Sequence, residues 1–162
     1  MINQTHLHLL ITHLPIFGPL FGGIVLGYGL WTKSDQTKIA AYILFIISSI
    51  GAGIAYLTGE AAEETVENIP EIIESIIKQH EDFALISLIA LIALGVVALI
   101  GLFLTVKKSP FIRPVAIFTF IISLVSFGLI ARTGYLGGQI RHTEISSNTT
   151  NPAENSETEK GD

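Results

Sequence analysis

Five histidines, His6, His8, His13, His80 and His142, are the side chains best suited to chemistry in a sequence that has no cysteine and a single methionine. Lacking cysteine, the chain is expected to form no disulfide, iron–sulfur cluster, thiol nucleophile or covalent c-type haem, which leaves inorganic chemistry to His, Asp, Glu and Tyr. Two kinds of site can be built from such a set. A pair of imidazoles on facing helices can hold the iron of a planar haem b. A mixed shell of imidazole and carboxylate can instead hold zinc, iron or manganese, and Glu60, Glu63 and Glu64 stand ready to supply the carboxylates.

The elements that must position these residues are membrane helices. Of 162 residues 49 % are hydrophobic and only 14 % are charged, where soluble domains carry about a quarter. The apolar residues gather in four runs, roughly 7–31, 39–58, 83–106 and 114–131, each near the ~20 residues that a helix needs to cross a bilayer. The predicted fold is therefore all-α, an integral membrane four-helix up-and-down bundle over residues 1–142. The net charge of −5 argues against nucleic acid as a partner. No Lys or Arg precedes the first run, so it reads as a retained span and not as a secretory signal. The short links near 32–38 and 107–113 hold Lys33, Lys38, Lys107, Lys108 and Arg113, and the positive-inside rule makes them cytoplasmic. Both termini then face the periplasm of a bacterial inner membrane, on an outer side that carries every acidic residue except Asp35.

The outer connection reads as helix. Glu60 to Glu67 contains strong helix formers and no breaker, so the second helix is expected to run on to about Glu67. Asn68 and Pro70 look like a cap and an early helical position, after which the third helix begins near residue 70. The second and third helices thus project on the outer side. Residues 143–162 are polar and nearly free of apolar side chains, and are expected to form a flexible tail. Gly18, Gly22, Gly23 and Gly27 make two small-xxx-small patterns, which let membrane helices approach closely.

Antiparallel neighbours are level where they lie equally far from the turn that joins them. With turns centred near residues 35–36, 69–70 and 110, His13, Gly59-Glu60, His80 and Arg141-His142 fall in one layer near the outer membrane boundary. His8 falls about one turn higher, level with Glu63 and Glu64. The first and third helices lie on a diagonal of the bundle, so His13 and His80 are expected to face each other across the core as axial ligands, with His8 and His142 as alternative ligands or supporting donors. Five residues of regular helix subtend about 140°, which keeps His8 and His13 off one face. Gly59, Gly134, Gly137 and Gly138 leave room for a porphyrin or for tight packing. Arg132 lies within the fourth span without an acidic residue to pair with it, and Arg132 or Arg141 can hold a haem propionate. In the metal alternative the ligands come from His8, His13, His80, His142, Glu60, Glu63 and Glu64. His6 reads as an exposed terminal residue.

The segment His8-Leu9-Leu10-Ile11-Thr12-His13-Leu14-Pro15-Ile16 resembles the signature His-Pro-x-x-x-His-Phe-Pro-Ile that opens a bacterial four-helix membrane family, domain of unknown function 2231. Thr58-Gly59-Glu60, His80, and Gly134-Tyr135-Leu136-Gly137-Gly138 with Arg141-His142 follow in the same order. The departures are Leu9 for the usual Pro, Leu14 for Phe, and Glu60 in place of an Asp one or two residues later. The resemblance implies a redox-associated membrane module of the kind found fused to Rieske or c-type cytochrome domains. The expected function is electron transfer through a non-covalent b-type haem, between a membrane donor such as quinol and a periplasmic cytochrome or Rieske protein. This makes the chain an electron carrier or a subunit of a larger complex more than a stand-alone enzyme. The alternatives are a metal-binding or metal-transfer membrane protein and a non-catalytic scaffold subunit of a respiratory complex.

Overall fold

The computed structural model describes residues 4–63 and 74–141. Five helices follow one another: α1 (Gln4–Ile11), α2 (His13–Trp31), α3 (Asp35–Glu63), α4 (Glu74–Val106) and α5 (Ile112–Arg141). No strand occurs among the described residues. α1 and α2 are one apolar stretch divided at Thr12. The division follows from Pro15, which has no N–H to give to the carbonyl of Ile11. Thr12 nevertheless keeps helical dihedrals (φ −59°, ψ −22°) and donates to the carbonyl of His8 at 3.0 Å, so the helix loosens without turning away. Counted this way, four segments are long and apolar enough to cross a membrane: His6–Trp31, Asp35–Gly59, Ser75–Val106 and Ile112–Gln139. The expected four-helix membrane bundle is the fold.

α2 packs on α3 and α5, α3 on α4, and α4 on α5, which closes the four spans into a ring around a core of Leu26, Tyr42, Phe45, Leu91 and Leu94. Large apolar side chains such as Ile24, Leu57, Ile89, Phe103 and Ile121 point outward. In water that surface would aggregate, whereas lipid solvates it. Aromatic residues mark both ends of the outer surface, Trp31 and Phe111 at the two short turns and Tyr56 and Tyr135 at the other end, as membrane interfaces favour. Hydroxyls knit the helices inside: Ser48 donates to the Leu14 carbonyl at 3.1 Å and Ser126 to the Ala90 carbonyl at 3.3 Å.

Both short turns close in the same way. The N–H of Ser34 reaches back to the Gly29 carbonyl and that of Ser109 to the Leu104 carbonyl, each at 3.0 Å, the six-to-one bond of a Schellman motif. The residue before each serine, Lys33 (φ 57°) and Lys108 (φ 52°), is left-handed. Glycine usually holds that position, because a Cβ there meets the following carbonyl. Ser34 then caps α3 by accepting the Thr37 N–H at 3.2 Å.

The first turn is thus centred on Lys33-Ser34, about two residues before its expected position, and the second on Lys108-Ser109. Moving a turn by two residues slides its helices past each other by about four, one helical turn. α3 continues past its apolar stretch to Glu63, and α4 begins at Glu74, ahead of Phe83. The expected helix end at Glu67, the cap at Asn68 and Pro70, and the tail 143–162 lie outside the described residues.

Candidate functional site

The inner face of α2 is the buried stripe Pro15, Pro19, Gly22, Leu26 and Gly29. His8 lies seven residues before Pro15, so it continues this stripe through the loosened joint at Thr12. Its Nδ1 sits 2.8 Å from the Ala55 carbonyl and 3.2 Å from the Thr58 hydroxyl. The ring rests against Gly59, where a Cβ would lie 3.5 Å from His8 Cε1. His8 is therefore level with Gly59 and not with Glu63 and Glu64, the one-turn slide that the early turn at Lys33-Ser34 imposes.

His80 heads the inward stripe of α4 that continues through Ser87, Leu91, Leu94 and Ala98. Its Nδ1 lies 3.1 Å from the Thr133 carbonyl on α5, and a Cβ at Gly137 would stand 3.2 Å from its Cε1. It is thus level with Thr133 and Gly137, about a turn short of the expected Ile140. Thr133 is itself fixed. Its hydroxyl donates to the Leu129 carbonyl at 3.1 Å and so accepts from Ser87 at 2.9 Å.

A carbonyl oxygen can only accept, so both imidazoles carry their proton on Nδ1 when neutral. That leaves the Nε2 lone pair of each available for a metal, the arrangement in which backbone carbonyls orient ligating histidines. One ring is held on the α1–α3 side of the bundle and the other on the α4–α5 side.

His13 is placed otherwise than expected. It lies on the outer stripe with Phe17 and Phe21, stacked on Phe17 at 6.2 Å between ring centres, and Phe17 stacks in turn on Phe21. All three are exposed. His13 Nδ1 turns back to the carbonyls of Leu9 and Leu10 at 3.0 and 3.3 Å. His8, not His13, is the histidine of the first span that turns to a neighbouring helix. The reason is rotational: 140° separates the two positions, and Pro15, Gly22 and Gly29 set the inner face on the side of His8.

Arg132 is exposed at the α4–α5 seam, its guanidinium 5.7 Å from the ring of Phe83 and 5.5 Å from that of Tyr135. Such rings favour a cation electrostatically, and it has no carboxylate partner among the described residues. Gly134 approaches Ile16, while Gly138 faces open space. His6 is exposed. Glu60, Glu63 and Arg141 occupy their helices, but their side chains lie outside the described set, as do Glu64 and His142 entirely. Among the described residues no three His, Asp or Glu side chains gather around one point. The pairing of Ser87 with Thr133 was not anticipated. Its signal is the presence of two hydroxyls within apolar runs, which must find partners inside a membrane bundle.

No known protein family, curated protein or solved structure matches this chain.

Proposed function

We propose that the chain is a membrane electron-transfer protein in which His8 and His80 would hold a b-type haem. The observation that carries this reading is the matched pair of inward imidazoles, each with Nδ1 tied to a carbonyl of a neighbouring helix. A porphyrin supplies four nitrogen ligands to its iron, so one or two imidazoles from the protein would suffice to hold it. A zinc or manganese ion needs three or four, which the described residues do not bring together. The metal reading therefore depends on Glu60, Glu63, Glu64 or His142. Gly59 and Gly137 fit the haem reading because each leaves room beside one of the imidazoles, where a Cβ would stand 3.5 and 3.2 Å from His8 and His80 Cε1. When bound, the group supplies one-electron redox chemistry. The protein's own residues orient the two rings, exclude water through the apolar bundle, and offer Arg132 as a partner for a propionate.

This reading includes membership in the family of domain of unknown function 2231, a place in the bacterial inner membrane, and exchange with quinol and a periplasmic cytochrome or Rieske protein. Purified protein is expected to show a Soret band that shifts on reduction and to contain iron. Colourless protein that retains zinc or manganese through desalting would overturn it in favour of the metal site. The orientation is tested separately. Alkaline phosphatase fused at the C-terminus is expected to be active and a fusion at Ser34 inactive, and the reverse result places the histidine end in the cytoplasm.

A further inference from the structure

At the end of the bundle opposite the histidines, a cavity of about 260 Å³ opens between the two short turns. Lys33 and Lys38 line it from the first turn and Arg113 from the second, with Asp35 as the single carboxylate. Three cations against one anion leave an excess of two positive charges. Lys38 is buried and spends one donor on Asp35 at 2.9 Å, which keeps two of its three N–H groups. Leu30, Pro110 and Ile112 complete the lining, and the exposed Trp31, next to Leu30 in sequence, marks the membrane interface at this end.

Lys33 holds the left-handed conformation of its Schellman turn, which glycine would take without strain. Lys108 shares the conformation and does not line the cavity, which makes it the control for effects of the turn alone.

We propose that this cavity binds the phosphate of an acidic phospholipid, with Lys33, Lys38 and Arg113 around the headgroup and Leu30 and Ile112 along the start of an acyl chain. Basic pockets between membrane helices recognise anionic headgroups in this way. The apolar half of the lining distinguishes a lipid from free phosphate, which would gain nothing from it. The assignment is independent of what the histidines bind.

The test titrates full-length protein in neutral detergent with short-chain phosphatidylglycerol, phosphatidylcholine and inorganic phosphate, with binding read by native mass spectrometry. Phosphatidylglycerol is expected to bind at least tenfold more tightly than phosphatidylcholine. The double variant Lys33→Gly, Arg113→Gln is expected to bring the two lipids level, and Lys108→Gly to change neither. Lys33→Gly alone is expected to weaken phosphatidylglycerol binding while melting no lower than the parent, so that lost binding is not lost folding. Equal binding of the two lipids by the parent, or undiminished phosphatidylglycerol binding by the double variant, overturns the proposal. Inorganic phosphate binding as tightly as phosphatidylglycerol also overturns it, and makes the ligand a soluble anion.

Discussion

Replacing His8 or His80 by alanine in the full-length chain is expected to lower bound haem at least tenfold, while His13→Ala keeps it within about twofold of the parent. The difference follows from orientation. His8 and His80 are turned inward and each is fixed through Nδ1 to a neighbouring helix. The His13 ring lies against Phe17 on the outer surface, held only by carbonyls of its own helix. The other described histidines, His6 and His13, are exposed and not turned inward, so neither replaces a lost ligand and loss should be nearly complete. The truncation also removes packing, and His80→Gly supplemented with imidazole separates the two effects. Return of the reduced spectrum with added imidazole shows that the missing ligand, not a collapsed fold, caused the loss. Full haem occupancy in the double variant His8→Ala, His80→Ala would falsify the assignment, and loss on His13→Ala alone would return the ligand role to the outer stripe.

The fold was legible because hydropathy is a coarse signal that survives small errors of position. Four apolar runs and two lysine-bearing links are enough for the bundle, its turns and its two distinct ends. The levels of His8 against α3 and of His80 against α5 were also legible to within about a helical turn. What failed was finer. The first turn is set by a Schellman closure at Lys33, and nothing in Thr32-Lys33-Ser34 announces it, because glycine is the residue that normally marks such a position. The two-residue error there became a full turn at His8.

The rotation of the first helix was readable by a signal that depth arguments overlook. Pro15, Gly22 and Gly29 repeat at seven residues, and His8 continues that series. Phe17, Phe21, Ile24, Tyr28 and Trp31, the bulky residues, continue the face of His13. In a membrane bundle small residues mark the inner face, because tightly packed helices leave no space for large ones there. The phase of the small residues, more than the height of the histidines, decides which imidazole turns inward.

The same logic makes the glycines of α2 a sharp test of how closely its neighbours approach. The two small-xxx-small patterns serve two different helices: Gly18 and Gly22 meet Ser48 and Phe45 of α3, and Gly23 and Gly27 meet Ser123 and Phe120 of α5. A Cβ at Gly22 would stand 2.5 Å from Phe45 Cε1, and Phe45 is fully buried with no exposed side toward which to swing. Gly22→Ala is therefore expected to destabilise the bundle by about 1–3 kcal/mol, the ordinary range for overpacking a filled core. Gly53 and Gly128 are also helical, but nothing lies within 4 Å of a Cβ built on either. Alanine at these positions is expected to be neutral or to stabilise by up to about 1 kcal/mol through its helix propensity. Unfolding of each variant in a graded series of denaturing detergent measures both effects on one scale. Gly22→Ala as stable as Gly53→Ala would mean that α2 and α3 stand farther apart at Gly22 than the position of Phe45 requires.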